Sequence, residues 1–399
     1  MLPRYQWVRW DLESYLSEMA VGDKIISENE LVKKYKVSRV TARKALQLLR
    51  NDGTIKCVRG RGTFLAKVPN RTPISSKSTN AKLLGVLVPS VNAPLIASVV
   101  RGIEAEATRN GYHILLSHDH NDPQLQIKQL RKLLETDVSG ILLYPDRFVT
   151  DCKEFLDLLD ELNKRNVPLV LLDRYIAGLD FTCVMTDNVQ GMFELTEHVI
   201  LCGRRRPALI GFWETNTVHM ARRKGFLEAL HKHRLPTTSV LEGHVSSTGA
   251  TSGGDHNILA EWTQAAHDIV AGWVAGKSAA DLPFDSIVCM YDPIAYGAFN
   301  ALQEAGLRVP EDIALVGYDN LDSGLYRTQG LQLTSVQQPL DLEGTTAAQI
   351  LIERIEGKPR TGRSSHVLLP PKLVVRTSCG AKMATSAGSS MPVAAAMAP

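Results

Sequence analysis

The chain has 399 residues, of which 44% are hydrophobic and 22% are charged, a composition typical of a soluble protein with more than one packing unit. Residues 1 to 68 hold 14 lysines and arginines against 7 aspartates and glutamates, a net charge of +7, whereas the whole chain carries +3 and the remainder therefore −4. The six cysteines show no C-x-x-C spacing, and the chain shows neither an apolar signal core nor a run of about 18 apolar residues. These features argue against a secreted disulfide protein and a membrane protein. They predict a cytoplasmic protein with no metal site and no cofactor.

The first predicted elements are three helices. Tyr5, Val8, Leu12, Leu16 and Met19 recur at helical spacing. A second helix is predicted to begin at Ser27, which can form a capping box with Glu30. Ser38 is predicted to cap a third helix, whose apolar side consists of Ala42, Ala45, Leu46 and Leu49.

The exposed face of the third helix is basic. Arg39 and Arg43 lie four residues apart, so they share one face that can meet a DNA major groove. A solvated basic helix is the alternative for two arginines taken alone. The next residues favour DNA binding, because strand-like runs at 55–58 and 63–66 are joined by a basic, glycine-containing turn at 59–62.

These elements resemble the GntR family of bacterial winged-helix transcription factors, through SENEL, VSRVTARKAL, NDG and RGRGTFLA, over about residues 3 to 67. The resemblance implies an α+β winged helix-turn-helix at residues 1–67 that binds double-stranded operator DNA. Its implied DNA contacts are Ser38, Arg39, Thr41 and Arg43 of the recognition helix, and Arg59, Gly60 and Arg61 of the wing. Asn29 stands where the family often has an arginine, which weakens the expectation of a phosphate contact there.

The rest of the chain has a different pattern. Residues 68–81 are rich in Pro, Ser, Thr and Asn and predict an exposed linker. Apolar runs then alternate with helix-length stretches, which is typical of βα units around parallel sheets covered on both faces. The runs are LLGVLVP, YHILLSH, GILLYP, PLVLLD, PALIGF, SIVCMYD and ALVGYD. Residues 244–257 predict a lengthened surface loop, and residues 381–399 predict a disordered tail.

Aspartates close several of these runs. Asp173, Asp292 and Asp319 each follow an apolar run, and ligands of open α/β sheets bind beyond the carboxyl ends of the strands. Together with Arg222 they supply the acceptors and forked donors that a polar sugar needs. A turn or helix cap is an equally good interpretation of any one aspartate alone.

The same segment is similar to the LacI and periplasmic sugar-binding lineage over roughly residues 82 to 380. The shared signatures are RGIEAEATRNGYHILL, ETDVSGILLYP, VPLVLLDR, ARRKGFLEAL, YDPIAYGAFNALQEAGLRVPEDIALVGYDN and LTSVQQP. The similarity implies an α/β domain at residues 82–380 with two lobes, one formed by 82–187 with a return at 320–338 and the other by 188–319 with the C-terminal segment. The implied effector-binding residues are Asp173, Arg222, Tyr291, Asp292, Asp319 and Gln338. Tyr291 is larger than is usual in sugar-specific relatives, and it is expected either to stack on a ligand ring or to reduce the pocket.

The combination resembles the arabinose-repressor type of bacterial regulator. It implies a homodimer on a palindromic operator, controlled by a small-molecule effector. A monosaccharide is the family-level expectation for this effector, and a purine or another small polar metabolite is the alternative. Relief of repression by effector is the first hypothesis, and a corepressor arrangement is equally allowed by the sequence. An enzyme is disfavoured because no catalytic motif is present, and a transport binding protein would not explain the wing. The HDH cluster at 118–120 predicts a turn in preference to a metal site.

Overall fold

The structure is a computed structural model, and the chain divides into two compact units, residues 1–81 and 82–399. The residues that it describes are 5, 8, 12, 15, 16, 19–35, 37–58, 61–67, 82–146, 152–212, 216–237, 241–245, 258–321, 330–358 and 366–381. The predicted linker at 68–81, the tail from 382 onward and the wing residues Arg59 and Gly60 lie outside them. Among the described residues, no helix combines the length and the apolar character needed to cross a membrane.

The N-terminal unit contains the predicted helix-turn-helix. Its helices are α1 (Glu28–Tyr35) and α2 (Arg39–Asn51), and its hairpin strands are β1 (Ile55–Val58) and β2 (Gly62–Leu65). Helical residues also occur before α1, and three of them, Val8, Leu12 and Leu16, are fully buried. Leu12 and Leu16 form one apolar core with Leu31 of α1 and Leu49 of α2, as the helical spacing predicts.

Both predicted helix caps are confirmed. The Ser27 amide donates to Glu30 Oε2 at 2.7 Å, and the Glu30 amide lies 3.4 Å from Ser27 Oγ, which completes the capping box. Ser38 Oγ accepts from the Thr41 amide at 3.2 Å. The hairpin is antiparallel with Val58 opposite Gly62, so β2 begins one residue before the predicted start. Gly62 has φ +118°, a conformation that glycine adopts without steric cost.

The C-terminal unit contains two six-stranded sheets. The first sheet is parallel throughout, in the order β13 (His366–Leu369), β7 (Thr182–Thr186), β6 (Leu169–Leu172), β5 (Gly140–Leu143), β3 (Leu83–Val88), β4 (His113–His118). The second has the order β14 (Lys372–Val374), β12 (Thr334–Gln337), β11 (Ala314–Tyr318), β10 (Ser286–Cys289), β8 (Pro207–Gly211), β9 (Glu242–His244). Its strands are parallel except β14, which runs antiparallel to β12. All seven apolar runs noted in the sequence are strands.

Helices cover both faces of each sheet, as the continuous hydrophobicity of the strands predicts. The helices that belong to the first lobe are α3 (Pro94–Arg109), α4 (Pro123–Glu135), α5 (Lys153–Lys164) and α10 (Leu340–Ile355). Those of the second lobe are α6 (Asn188–Leu201), α7 (Thr217–Lys232), α8 (Ile258–Val274) and α9 (Asp292–Glu304), with a 3₁₀ turn at Ala279–Asp281. Each sheet therefore has a separate apolar core on either side.

The prediction that residues 320–338 return to the first lobe is wrong. Strand β12 pairs with β11 through Val316 and Thr334, so the segment near 320–338 stays in the second lobe. The chain returns to the first lobe only afterwards, when α10 packs on α3 and β13 pairs with β7. It then crosses again, and β14 closes the second sheet. The order of apolar runs along the chain does not reveal which sheet a strand joins.

Two smaller predictions also have outcomes. The predicted turn at 118–120 is confirmed, since the Asp122 amide donates to the Asp119 carbonyl at 2.9 Å and His120 has φ +55°. The predicted loop at 244–257 begins one residue too early, because His244 is the last residue of β9 and pairs with Gly211.

Candidate functional site

The N-terminal unit presents the predicted recognition helix at its surface. Ser38, Arg39 and Arg43 are exposed, and Thr41 is half-buried. Arg43 is not free: its Nη2 and Nε lie 2.9 Å and 3.2 Å from the two carboxylate oxygens of Glu28 in α1. The Arg43 side chain is 68% exposed, and exposed ion pairs contribute little to stability. The ion pair therefore orients the guanidinium of Arg43. Replacing Glu28 by a DNA phosphate or base would cost little free energy. Arg61 at the described edge of the wing is also exposed.

The C-terminal unit has a cavity of about 180 Å³ between its two lobes. Two predicted residues mark it from opposite sides: Asp173 follows β6 of the first sheet and Asp319 follows β11 of the second, and both line the cavity. Their φ angles are +64° and +106°, in a region that residues other than glycine seldom adopt and that recurs at ligand sites. The two carboxylates are thus at equivalent strand ends, as the sequence predicts.

Arg222 organises the wall formed by the second lobe. It comes from α7 and is 1% exposed, and its Nε donates to Asn188 Oδ1 at 2.9 Å. Its Nη1 donates to the Met290 carbonyl, and its Nη2 lies 3.4 Å from Asp319 Oδ1. The guanidinium also lies 3.7 Å from the ring centre of Tyr318, a cation–π contact. The charge of Arg222 is therefore compensated, and its position is fixed before any ligand arrives.

Gln338 completes this wall. Its Nε2 donates to Asp319 Oδ1 at 2.8 Å, and among the described residues its buried Oε1 has no hydrogen-bond partner. Burial raises the pKa of the Asp319 carboxyl to about 6, against the opposing effects of Arg222 and Gln338. Buried polar atoms without partners are costly, so this wall is suited to a ligand that supplies hydroxyl donors.

The wall formed by the first lobe contains a second charged pair. Arg174 Nε donates to Asp173 Oδ2 at 3.0 Å, and its Nη2 lies 3.4 Å from Tyr144 Oη. Behind this pair, Glu343 of α10 is fully buried. Burial raises the pKa of the Glu343 carboxyl well above its ordinary value, and the charge of Asp173 raises it further. This environment favours the neutral form of the Glu343 carboxyl.

Aromatic side chains form one side of the cavity. His219, Trp262 and Tyr291 line it, and Phe212 packs among them with its ring centre 4.9 Å from those of His219 and Trp262. His219 Nε2 lies 2.9 Å from Tyr291 Oη. Tyr291 is thus held by a hydrogen bond and by ring contacts, which makes it a firm surface for one face of a ring-shaped ligand.

Asp292 lies outside the cavity. It is 1% exposed, its Oδ1 accepts from Ser335 Oγ at 2.7 Å, and its Oδ2 accepts from the Leu321 amide at 2.7 Å. Burial raises the pKa of this carboxyl to about 8, and the charge of Asp319 adds to that shift. The geometry favours a structural role for Asp292, which ties α9 to β12, over the effector contact that the sequence predicts.

The structure therefore brings five of the six predicted effector residues to one cavity: Asp173, Arg222, Tyr291, Asp319 and Gln338. Sequence reasoning missed Asn216, His219 and Trp262, which also line it. Asn216 and His219 flank the start of α7, where Asn216 Oδ1 accepts from the Val218 amide at 2.8 Å. A search of helix starts that follow strands would have found them, because such starts share the ligand-binding edge of the sheet with the strand ends.

Comparisons with protein families divide the chain in the same way. Residues 11–65 match the bacterial regulatory proteins of the gntR family. Residues 81–253 match the periplasmic binding proteins and sugar binding domain of the LacI family, and residues 196–379 match the periplasmic binding protein-like domain.

Individual proteins agree with these matches. The arabinose metabolism transcriptional repressor of Geobacillus stearothermophilus is 27% identical over 381 residues, which cover 94% of this chain and 98% of that protein. The HTH-type transcriptional repressor PurR of Klebsiella pneumoniae strain 342 is 30% identical over 319 residues, which cover 78% of this chain and 83% of that protein. A solved LacI family transcriptional regulator from Enterococcus faecium with bound ribose has a TM-score of 0.59 at 24% identity, covering 74% of this chain and 98% of that one. At that identity, the last similarity is evidence for the fold alone.

Proposed function

The chain belongs to the bacterial transcriptional regulators that join a GntR-type DNA-binding domain to a LacI-type effector-binding domain, and we propose that it represses genes until a small polar effector, a monosaccharide, binds between its lobes. The observation that carries the proposal is the cavity in which Asp173 of one lobe faces Asp319, Arg222 and Gln338 of the other. The N-terminal unit of the same chain exposes Arg39 and Arg43 on a capped helix, where they can meet DNA.

The chemistry of the cavity supports a monosaccharide. Carboxylates and the amide oxygen of Gln338 accept hydrogen bonds from hydroxyls, while Arg222 and Arg174 hold those acceptors in place. Tyr291 and Trp262 offer ring surfaces to the C–H face of a sugar. The cavity volume of about 180 Å³ is below the roughly 300 to 1,000 Å³ of pockets for drug-sized ligands, which favours a small molecule. A planar heterocycle is the alternative that the aromatic wall supports.

The DNA contacts in the proposal are Ser38, Arg39, Thr41 and Arg43 in the major groove and Arg59, Gly60 and Arg61 at the wing. Two copies of the chain present these residues to the two halves of a palindromic operator, because a two-fold dimer matches a two-fold site. The protein acts in the cytoplasm, where the operator is. It has no catalytic role, since the polar groups of the cavity are arranged to bind and not to activate a nucleophile.

The test is an operator-retention assay with the full chain and the DNA beside its own gene, at two salt concentrations, with and without effector. A thermal-shift screen of monosaccharides first identifies the effector, because a ligand that binds only the folded state raises the unfolding temperature. We expect specific retention that declines steeply with salt and is released by the effector. Tighter retention in the presence of effector would establish a corepressor instead. Effector binding without any specific retention would refute the regulator and favour a sugar-binding module.

A further inference from the structure

A cluster of three metal-binding side chains lies in the second lobe, away from the cavity. His198 lies in the last turn of α6, Cys202 caps the end of that helix, and Cys379 lies in the segment that follows β14. Local sequence patterns do not predict the cluster, because His198 and Cys379 are 181 positions apart in the chain. The fold brings them together when the chain crosses back to the second lobe for the last time.

The distances in this cluster fit a tetrahedral ion. His198 Nε2 lies 3.2 Å from Cys379 Sγ and 3.6 Å from Cys202 Sγ, and all three atoms lie within 4.8 Å of one another. A zinc ion with bonds of about 2.3 Å to sulfur and about 2.0 Å to nitrogen separates its ligand atoms by roughly 3.5 to 3.8 Å. The two nitrogen–sulfur distances are within a few tenths of an ångström of this range, and the two sulfur atoms, which lie within 4.8 Å of each other, need to approach by at most about 1 Å to surround an ion.

The surroundings hold the ligands in place. Thr334 Oγ1 donates to Cys379 Sγ at 3.2 Å, the kind of outer hydrogen bond that orients metal ligands. His198 and Cys202 are four residues apart on one helix face, at the end where the helix dipole favours a cation. Burial raises the pKa of the Cys379 thiol, but hydrogen bonds from His198 and Thr334 outweigh it and lower the pKa to about 7.

We propose that His198, Cys202 and Cys379 bind a soft divalent cation of the Zn²⁺ class, with a water molecule as the fourth ligand. Two thiolates and one imidazole are a ligand set that zinc prefers. Neutral His198 binds through Nε2, and the two thiols release one proton each as they bind. Water reaches the fourth position because His198 and Cys202 are half-exposed.

The ion fastens the C-terminal segment to the body of the second lobe. That segment is already hydrogen-bonded to the second sheet beside β11 and β12, since the Leu315 amide donates to the Ser378 carbonyl at 2.9 Å and the Ser378 amide donates to the Gln332 carbonyl at 3.0 Å. A metal bridge from Cys379 to the end of α6 adds a link that the sheet hydrogen bonds do not supply. We assign the ion this linking role, at a place that shares no ligand with the lining of the effector cavity.

The test uses the full chain, purified under reducing conditions, freed of metal with a chelator and titrated with Co²⁺ as a spectroscopic probe. We expect one equivalent to bind with the thiolate-to-cobalt charge-transfer band and the intense visible bands of tetrahedral cobalt, and Zn²⁺ to displace it. Cys202→Ser and Cys379→Ser are each expected to weaken binding at least about 100-fold, beyond the roughly 10- to 100-fold cost of losing an outer hydrogen-bond partner. Cys57→Ser is the matched control, because Cys57 is an exposed cysteine of the other unit, and we expect it to bind cobalt as the parent chain does.

Alkylation mapped by mass spectrometry provides a second measurement that needs no variant. Zn²⁺ is expected to slow the modification of Cys202 and Cys379 at least about tenfold and to leave Cys57 unchanged. Three results would overturn the proposal: no charge-transfer band, equal cobalt binding by the Cys202 and Cys379 variants, or a Cys202–Cys379 disulfide whose reduction yields thiols that Zn²⁺ does not protect.

Discussion

Arg43 is the residue at which the structure adds most to the DNA-binding hypothesis. Glu28 holds its guanidinium from the neighbouring helix, so the side chain is ordered before DNA arrives. We expect Arg43→Ala to lower operator affinity about 5- to 150-fold, the usual effect of losing an arginine contact to a base edge, and to leave effector binding unchanged. Retention assays and calorimetry measure the two affinities.

The control for Arg43 is Arg50→Ala. Arg50 is an exposed arginine at the opposite end of the same helix, so this variant removes the same charge from a place where no contact is predicted. Equal losses of operator affinity in the two variants would reduce the effect of Arg43 to general electrostatics, and a loss of effector binding in Arg43→Ala would contradict the assignment.

We expect Asp319 to make effector binding depend on pH. Its pKa of about 6 in the folded protein lies above the ordinary 3.8, so the folded state holds this proton more tightly than the unfolded state. The contribution of Asp319 to the free energy of unfolding therefore declines as the pH rises from about 4 to 6. An effector that donates hydroxyls to the carboxylate has the opposite dependence, and its affinity increases as the pH rises through about 6. Calorimetry is expected to give an affinity up to about tenfold lower near pH 5 than near pH 7.

Asp319→Asn distinguishes this carboxylate from other titrating groups. The variant keeps an acceptor oxygen but has no proton to exchange, so its effector affinity is expected to be independent of pH over that range. The same pH dependence in the variant would assign the titration to a group other than Asp319.

Three aspartates show why a sequence pattern alone does not identify every residue of the cavity. Asp173, Asp292 and Asp319 each follow an apolar run, and the sequence cannot tell them apart. Asp173 and Asp319 reach the cavity, whereas the carboxylate of Asp292 accepts from Ser335 and Leu321. The difference depends on contacts between segments that are far apart in sequence, which a strand-end pattern does not contain.

Glycines control how closely the helices approach one another. A Cβ added to Gly344 in α10 would lie 2.0 Å from the Val99 carbonyl oxygen in α3, and one added to Gly102 in α3 would lie 2.1 Å from the Asp341 carbonyl oxygen. A Cβ added to Gly297 in α9 would likewise lie 2.0 Å from the Thr263 carbonyl oxygen in α8. Backbone atoms cannot move aside as flexible side chains do, so these positions fix the helix spacing in both lobes.

Gly344→Ala is therefore expected to destabilise the C-terminal unit by about 1 to 3 kcal/mol, as overpacking substitutions do. Thermal unfolding of the full chain measures the change. Gly272→Ala is the matched control, because Gly272 is an exposed helical glycine with nothing within 4 Å of an added Cβ. That variant is expected to be as stable as the parent chain or up to about 1 kcal/mol more stable. Equal unfolding temperatures for the two variants would show that α3 and α10 can separate without cost.

Elements were predictable where a local pattern determines them. The helix caps at Ser27 and Ser38 and the seven buried strands follow from side-chain chemistry and continuous hydrophobicity. The short strands β9, β12 and β14 were not predicted individually, since each has three or four residues of mixed polarity, such as Thr334–Gln337. Pairing with a neighbouring strand, and not their own composition, makes them strands.

At the scale of the whole C-terminal unit, the two lobes are connected where the chain passes between the sheets. Within the described residues these passages lie between β7 and α6, between β12 and α10, and between β13 and β14. Gln338 belongs to the second passage and also contacts Asp319 in the cavity. A ligand that binds both walls would therefore contact a residue next to a segment that joins the lobes, and we propose this segment as the route from effector binding to the arrangement of the two lobes.

Such a switch must act in both directions. If the effector weakens operator binding by a given factor, operator DNA must weaken effector binding by the same factor, because the two affinities share one coupling free energy. A coupling of about 3 kcal/mol corresponds to a factor of more than 100 in each direction. We expect calorimetry of the full chain, with and without saturating operator, to give an effector affinity lower by the factor that retention assays give for the DNA. A scrambled duplex at the same salt concentration controls for charge alone. Unequal factors would mean that the two assays follow different states of the protein, and an unchanged effector affinity would exclude the switch.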